Sequence, residues 1–163
     1  MIEVEDMRHS EITALLMEID YGHLGCSEND RPYIVPVHFA YDEPNIYVYT
    51  TEGKKTKMIR TNPNVCLQVE NVRDNRNWKS VLIRGTAVIV DDPAERDKAV
   101  KLIAEINPTL TPAVSIRWMD SWVRENIEAI LRIDPEILTG RASVNKSETG
   151  KPFVPVSKPA EEV

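Results

Sequence analysis

The run Thr50-Thr51-Glu52-Gly53-Lys54-Lys55 joins a predicted strand to a predicted helix. Free N–H groups and the dipole at the start of a helix attract anions, and lysine ammonium groups add charge-assisted hydrogen bonds. The segment therefore predicts a phosphate site at Lys54 and Lys55, with threonine hydroxyls beside it. On spacing alone, a solvated turn that carries two surface lysines is the alternative interpretation.

The histidines and cysteines give weaker indications of a functional site than the lysine pair does. His23 and His38 lie on predicted strands, where a hydrogen-bonded structural histidine is more common than a catalyst or a ligand. Cys26 and Cys66 lie in apolar segments, which favours buried thiols over a disulfide. We find no close spacing of His, Cys, Asp and Glu that indicates a metal, so no metal site is expected, and no catalytic residue can be assigned.

The apolar periodicity predicts the elements that must position these residues. Helical spacing predicts a first helix over residues 8–19, and a second helix follows Gly53 over 54–61. A third is expected to begin at 91–95 and to end at 107–108, and a fourth over 112–124 would carry Trp118 and Trp122 as packing residues. Strands are predicted over 21–27, 32–41, 46–51, 65–70, 81–90 and 127–138, the first three joined by polar turns of hairpin type.

Six antiparallel strands with few helices favour a mainly β fold, a small closed or half-closed barrel, because closure removes exposed edges. At 163 residues one domain is sufficient, and we place it at 1–142. The segment 143–163 is rich in proline, lysine and glutamate and is predicted to be an extended or disordered tail.

Charge and hydropathy exclude several partners. A net charge of −6 and a pI near 5.2 disfavour nucleic acid as a partner. The first residues are acidic where a signal peptide is basic, and no apolar run approaches the roughly 20 residues that span a bilayer. We therefore expect a cytoplasmic protein that contacts no membrane.

Several short motifs in a fixed order carry a resemblance to a known family. They are Gly22-His23-Leu24, the runs 31–39 and 47–55, Asn62-Pro63-Asn64-Val65 and the run 78–85 that ends Arg84-Gly85. Over roughly residues 8–90 this series resembles the FMN-binding split β-barrels, which include relatives of pyridoxamine 5′-phosphate oxidase and the nitroimidazole-resistance proteins. A weaker similarity continues at residues 137–140.

The resemblance implies a six-stranded antiparallel split barrel with flanking helices, an FMN cofactor and a homodimer with cofactor sites at its interface. It also implies which residues bind the cofactor. Pro36, Val37 and His38 would lie along the isoalloxazine; Tyr49, Thr50 and Thr51 would hold the ribityl and phosphate region; Lys54 and Lys55 would bind the phosphate; Trp78 and Ser80 would reach the FMN held mainly by the other subunit.

Two departures from the family pattern restrict the activity. Phe39 stands where the oxidase has a lysine for its substrate's phosphate, and Tyr49 stands where nitroimidazole-resistance relatives commonly have a histidine. We therefore expect an FMN-dependent oxidoreductase that passes electrons from a reduced nicotinamide or similar donor to a small planar acceptor, and not pyridoxamine phosphate oxidation. The alternatives are a non-catalytic flavin carrier or sensor, a member that binds haem or a deazaflavin, and a binding module with an empty barrel.

Overall fold

Seven strands and three helices make up residues 1–106 and 128–145, which are the part of the chain that the computed structural model describes. The predicted helix over 112–124, with Trp118 and Trp122, lies outside the described residues, as does the tail beyond residue 145. The elements in chain order are β1 (Ile2–Asp6), α1 (His9–Glu18), β2 (Tyr21–Glu28), β3 (Arg31–Asp42), β4 (Asn45–Thr51), α2 (Lys54–Thr61), β5 (Asn64–Asp74), β6 (Asn77–Ile89), α3 (Pro93–Ile106) and β7 (Glu128–Asn145).

Six of the strands form a closed antiparallel ring. The order β7-β4-β3-β2-β5-β6 closes because β6 also pairs with β7, and β1 is added outside the ring along β7. The predicted mainly β fold, with six antiparallel ring strands and flanking helices, is confirmed. Strand β1 was not predicted: Ile2 and Val4 alternate with Glu3 and Glu5, but the run is short and its side chains are mostly exposed.

Alternating side chains fill the ring interior. Phe39, Val48 and Leu67 are fully buried there, and helix α1 covers this core with Ile12 and Leu16. Helix α3 lies on the outside of the ring and packs Ala99 and Ile103 in a second apolar cluster with Tyr47, Tyr49 and Ile130. The two faces of β4 therefore belong to different clusters, the interior core and the α3 cluster.

One tight turn and one close contact help to set the register of the strands. Asn29 and Asp30 have φ values of 50° and 60°, which is the left-handed pair that a two-residue hairpin turn needs between β2 and β3. At Gly85 the register of β6 against β7 shifts, and a Cβ at this position would overlap the carbonyl oxygen of Asp134. Glycine is therefore needed at this crossing of the two strands.

The helix over 54–61 and the hairpin between β2 and β3 lie where the sequence predicts them. Strand β7 continues to Asn145, beyond the expected domain end at residue 142, because β1 pairs with its final residues. Among the helices in the described ranges, none has the length and apolar character to cross a membrane.

Candidate functional site

Helix α2 presents the predicted lysine pair, Lys54 and Lys55, at its first turn. The Gly53 N–H donates to the Thr56 hydroxyl over 2.9 Å, and that hydroxyl lies 2.8 Å from the carboxylate of Glu52. The first helical hydrogen bond runs from Lys57 N to Gly53 O, so the N–H groups of residues 54–56 precede the helical ladder. The first turn of α2 thus carries both lysines and three backbone N–H groups that form no hydrogen bond of the helical ladder.

The two lysines have different surroundings. The ammonium nitrogen of Lys54 lies 4.7 Å from the centroid of the Tyr33 ring, a cation–π contact with the start of β3. Lys55 is half-buried, and this burial lowers its pKa, while the nearby Cys26 thiol acts in the opposite direction. In the described part of the chain, neither lysine forms an ion pair.

The acidic neighbour of the lysine pair is already neutralised. Glu52 accepts hydrogen bonds from Arg60 over 2.7 and 2.9 Å in a bidentate pair. The hydrogen bonds from Arg60 and Thr56 lower the pKa of Glu52 to about 2. The carboxylate is therefore held by Arg60, and the positive charge of the lysine pair is left for another anion.

The predicted residues of β4 lie on two faces of the strand. Thr50 follows Ile46 and Val48 on the interior face and is fully buried, and its Oγ1 has no hydrogen-bond partner among the described residues. Tyr49 faces the α3 cluster, where its hydroxyl donates to Glu128 over 3.1 Å, and burial raises its pKa to about 12 with help from that carboxylate. Thr51, also buried, lies on the Tyr49 face.

The predicted residues of β3 alternate in the same way. Val37 is fully buried in the interior core, whereas Pro36 and His38 lie on the outer face of the ring. The Nδ1 atom of His38 is buried and without a hydrogen-bond partner in the part of the chain that the structure describes. Buried polar atoms normally have a partner, so His38 Nδ1 and Thr50 Oγ1 are two exceptions, and they lie on opposite faces of the sheet.

Trp78 and Ser80 lie elsewhere on the outer face. They line an open groove of about 840 Å³, called here the Trp78 groove, together with Asp6, Met7, Leu82, Leu138, Thr139, Gly140 and Arg141. One end of its wall is fixed because the backbone N–H of Trp78 donates a hydrogen bond to Ser143 Oγ over 2.9 Å. Strands β2 and β5 lie between β3 and β6 in the ring, so Ser80 is three strand spacings, roughly 14 Å along the sheet, from the residues of β3.

Three residues near these places were missed by the sequence analysis. Tyr33 contacts Lys54, Cys26 lies beside Lys55, and Gln68 donates to Ser80 over 3.2 Å. Strand alternation indicates that Gln68 faces outward, as Ser80 does. The register between β5 and β6 that brings the two together is set by the length of a hairpin, which the sequence analysis did not determine.

This architecture defines a class of protein: a closed antiparallel ring of six strands with a cationic helix start beside it. The chain belongs to the pyridoxamine 5′-phosphate oxidase family, whose model matches residues 8–142. The predicted relationship to this family is confirmed.

An uncharacterized protein of Rhizobium meliloti (strain 1021) is 35% identical over 82 residues, which cover 50% of this chain and 54% of that protein. The match thus spans about half the length of this curated relative.

Two solved structures share the fold. A FAD-binding protein of Mesorhizobium loti is 26% identical with a TM-score of 0.70, covering 88% of this chain and 98% of its own. A candidate 5-nitroimidazole antibiotic resistance protein of Bacteroides thetaiotaomicron is 20% identical with a TM-score of 0.65, covering 88% and 89%, and this likeness concerns the fold alone.

Proposed function

We propose that this protein binds FMN and is an oxidoreductase that passes electrons from a reduced nicotinamide or similar donor to a small planar acceptor. The observation that carries the proposal is the lysine pair at the start of α2. A half-buried ammonium without a counter-ion is costly, and an anionic ligand removes that cost. The phosphate of FMN supplies such a charge beside the free N–H groups of the first helical turn.

One buried polar atom supports the same ligand. Among the described residues, His38 Nδ1 on the outer face of β3 has no hydrogen-bond partner, and a hydroxyl of the ribityl chain or a polar atom of the isoalloxazine could satisfy it. Lys54 and Lys55 would hold the phosphate, while His38 and Pro36 would line the remainder. Thr50 Oγ1 faces the ring interior, on the opposite side of the sheet, and is not part of this proposal.

A homodimer is part of the proposal. The outer face of the ring exposes Ile34, Leu82 and Ile137, whose exposed fractions are 67%, 39% and 45%. Such a face favours contact with a second copy. Because Trp78 and Ser80 lie three strands from β3, a two-fold dimer offers a way for them to reach the flavin of the other subunit.

The bound flavin would supply the electron-transfer chemistry, and the chain's own residues would hold it, position it and limit access of water. Phe39 is fully buried in the ring interior, at the position where the oxidase has a substrate-binding lysine. This supports a reaction other than pyridoxamine phosphate oxidation.

FAD is a second candidate cofactor, favoured by the likeness to the Mesorhizobium loti FAD-binding protein. A second outer groove, of about 670 Å³, is lined by Cys26 and Tyr33, which are also the neighbours of Lys55 and Lys54. It therefore begins beside the proposed phosphate site, where the adenylate half of FAD would continue.

The proposal is tested by titrating the apo-protein with FMN and with FAD, using flavin fluorescence. The double variant Lys54→Ala/Lys55→Ala is compared with Lys57→Ala, which removes an exposed lysine from the same helix. Binding that is lost in the double variant and kept in Lys57→Ala supports the site. Absence of flavin binding by the wild type would overturn it, and absorbance of the purified protein would then reveal haem or a deazaflavin.

Turnover is tested separately. Steady-state oxidation of a reduced nicotinamide by the flavin-loaded protein, with nitroaromatic acceptors, supports an oxidoreductase. Flavin binding without oxidation of any donor would leave a carrier or sensor as the function.

A further inference from the structure

A line of hydrogen bonds crosses the outer face of β2, β5 and β6. His23 Nδ1 lies 3.4 Å from Gln68 Oε1, and Gln68 Nε2 donates to Ser80 Oγ over 3.2 Å. The same Nε2 donates to Glu70 Oε2 over 2.9 Å. All three hydrogen-bonding groups of the Gln68 amide therefore have partners, which fixes the orientation of its side chain.

This orientation determines what the Ser80 hydroxyl can do. A serine hydroxyl has one proton and two acceptor positions, and Gln68 uses one of the acceptor positions. The proton of Ser80 is thus left for another acceptor. Ser80 lines the Trp78 groove, so a ligand in that groove meets a hydroxyl that is available as a donor.

Glu70 is the competitor for that proton. It stands directly opposite Ser80 in the register of β5 and β6. A carboxylate accepts from a hydroxyl more strongly than a neutral group does. Gln68 donates to one oxygen of Glu70 and to Ser80 Oγ, and no hydrogen bond joins Ser80 to Glu70 in the part of the chain that the structure describes.

We propose that Gln68 is a positioning residue that sets Ser80 as a hydrogen-bond donor into the Trp78 groove, toward the carbonyl-bearing edge of a flavin. This rests on the proposed flavin site, with Ser80 serving the cofactor of the partner subunit. A donor at that edge stabilises added negative charge on the ring. Gln68 therefore raises both the flavin affinity and its reduction potential without touching the flavin.

The test measures FMN affinity and the midpoint potential of bound FMN in the wild type and four variants. Gln68→Glu keeps the size of the side chain and removes its donor groups. The Ser80 hydroxyl then donates to the carboxylate at position 68 and not to a ligand in the groove. We expect the Kd for FMN to rise by roughly three- to tenfold, which is the contribution of one hydrogen bond to binding, and the midpoint potential to fall. Asn71→Ala, on the same strand, is the control and should change neither quantity.

A rescue variant separates positioning from a merely structural role. In Gln68→Met/Glu70→Gln the amide at position 70 stands opposite Ser80 and can donate to it, so the midpoint potential should return toward the wild-type value, while Gln68→Met alone stays low. Thermal unfolding of each variant identifies any that fail to fold. If one comparison is lost in this way, the other decides the outcome: Gln68→Glu against wild type, or Gln68→Met against Gln68→Met/Glu70→Gln. Wild-type binding with unchanged potentials in the Gln68 variants would overturn this inference alone, whereas absence of wild-type binding would overturn the flavin site as well.

Discussion

The ammonium nitrogen of Lys54 lies 4.7 Å from the centroid of the Tyr33 ring, which joins the start of α2 to the start of β3. The contact orders the flexible side chain of Lys54 next to the half-buried Lys55. A phosphate bound at the proposed site would meet one ammonium that is already ordered, so less conformational entropy would be lost on binding.

Replacing the Tyr33 ring should weaken FMN binding. Cation–π contacts at exposed sites contribute about 0.5–1 kcal/mol, so Tyr33→Leu is expected to raise the Kd by roughly two- to fivefold. Tyr33→Phe keeps the ring and serves as the matched control, with little change expected. Fluorescence titration measures both, and equal affinities in the two variants would contradict a role for the ring.

The half-buried Lys55 should give the apo-protein a characteristic alkaline pH dependence. Burial lowers its pKa below the ordinary 10.5, so in the window beneath 10.5 the unfolded chain binds more protons than the folded one. Stability of the apo-protein should therefore rise with pH in that window through this group. Denaturant unfolding of wild type and Lys55→Met over pH 8.5–10.5 measures the contribution, which should disappear in the variant.

FMN affinity should change with pH in the opposite direction to apo-protein stability. A phosphate beside Lys55 favours its charged form, so affinity falls as the pH rises and the ammonium loses its proton. An FMN affinity that is the same across this range in wild type and Lys55→Met would show that Lys55 does not contact the phosphate.

Much of this arrangement could be predicted from the sequence, for physical reasons that differ between residues. The change from strand to helix at Gly53 is local, because the apolar alternation of β4 ends where the helical spacing of Met58 and Ile59 begins. This is a property of residues that are close in sequence. Closure into a ring was predicted on another ground, that it removes the exposed edges of six antiparallel strands.

Long-range register could not be predicted in the same way. The contact of Lys54 with Tyr33 and the hydrogen bond of Gln68 to Ser80 depend on which strands become neighbours and on how they align. Tyr49 and Thr50 were expected to hold the same part of the cofactor, yet adjacent residues of a strand face opposite sides. Only the ring shows that one side is the interior core and the other is the α3 cluster.

The glycine at the crossing of β6 and β7 should tolerate no larger residue. A Cβ at Gly85 would overlap the Asp134 carbonyl, so Gly85→Ala forces the two backbones apart at the register shift. We expect a loss of about 1–3 kcal/mol in the free energy of unfolding. At Gly53 the backbone φ of 174° suits any residue and no atom lies within 4 Å of an added Cβ.

Gly53→Ala is therefore the control for this prediction and should stay within about 0.5 kcal/mol of wild type. Urea unfolding of the two variants makes the comparison. Equal losses in both would show that the close approach of β6 and β7 does not limit the residue at position 85.

Tyr49 should resist ionisation in the folded protein. Burial and the neighbouring Glu128 carboxylate raise its pKa to about 12 from an ordinary value of 10.0. Between these values the unfolded chain has lost a proton that the folded chain retains, so stability should fall as the pH rises from 10.0 toward 12. In Tyr49→Phe this component of the alkaline loss should be absent, because no hydroxyl remains to titrate. Ultraviolet difference absorbance of tyrosinate in the folded wild type and variant locates the transition, and a Tyr49 signal that appears at the ordinary pH would contradict its burial against α3.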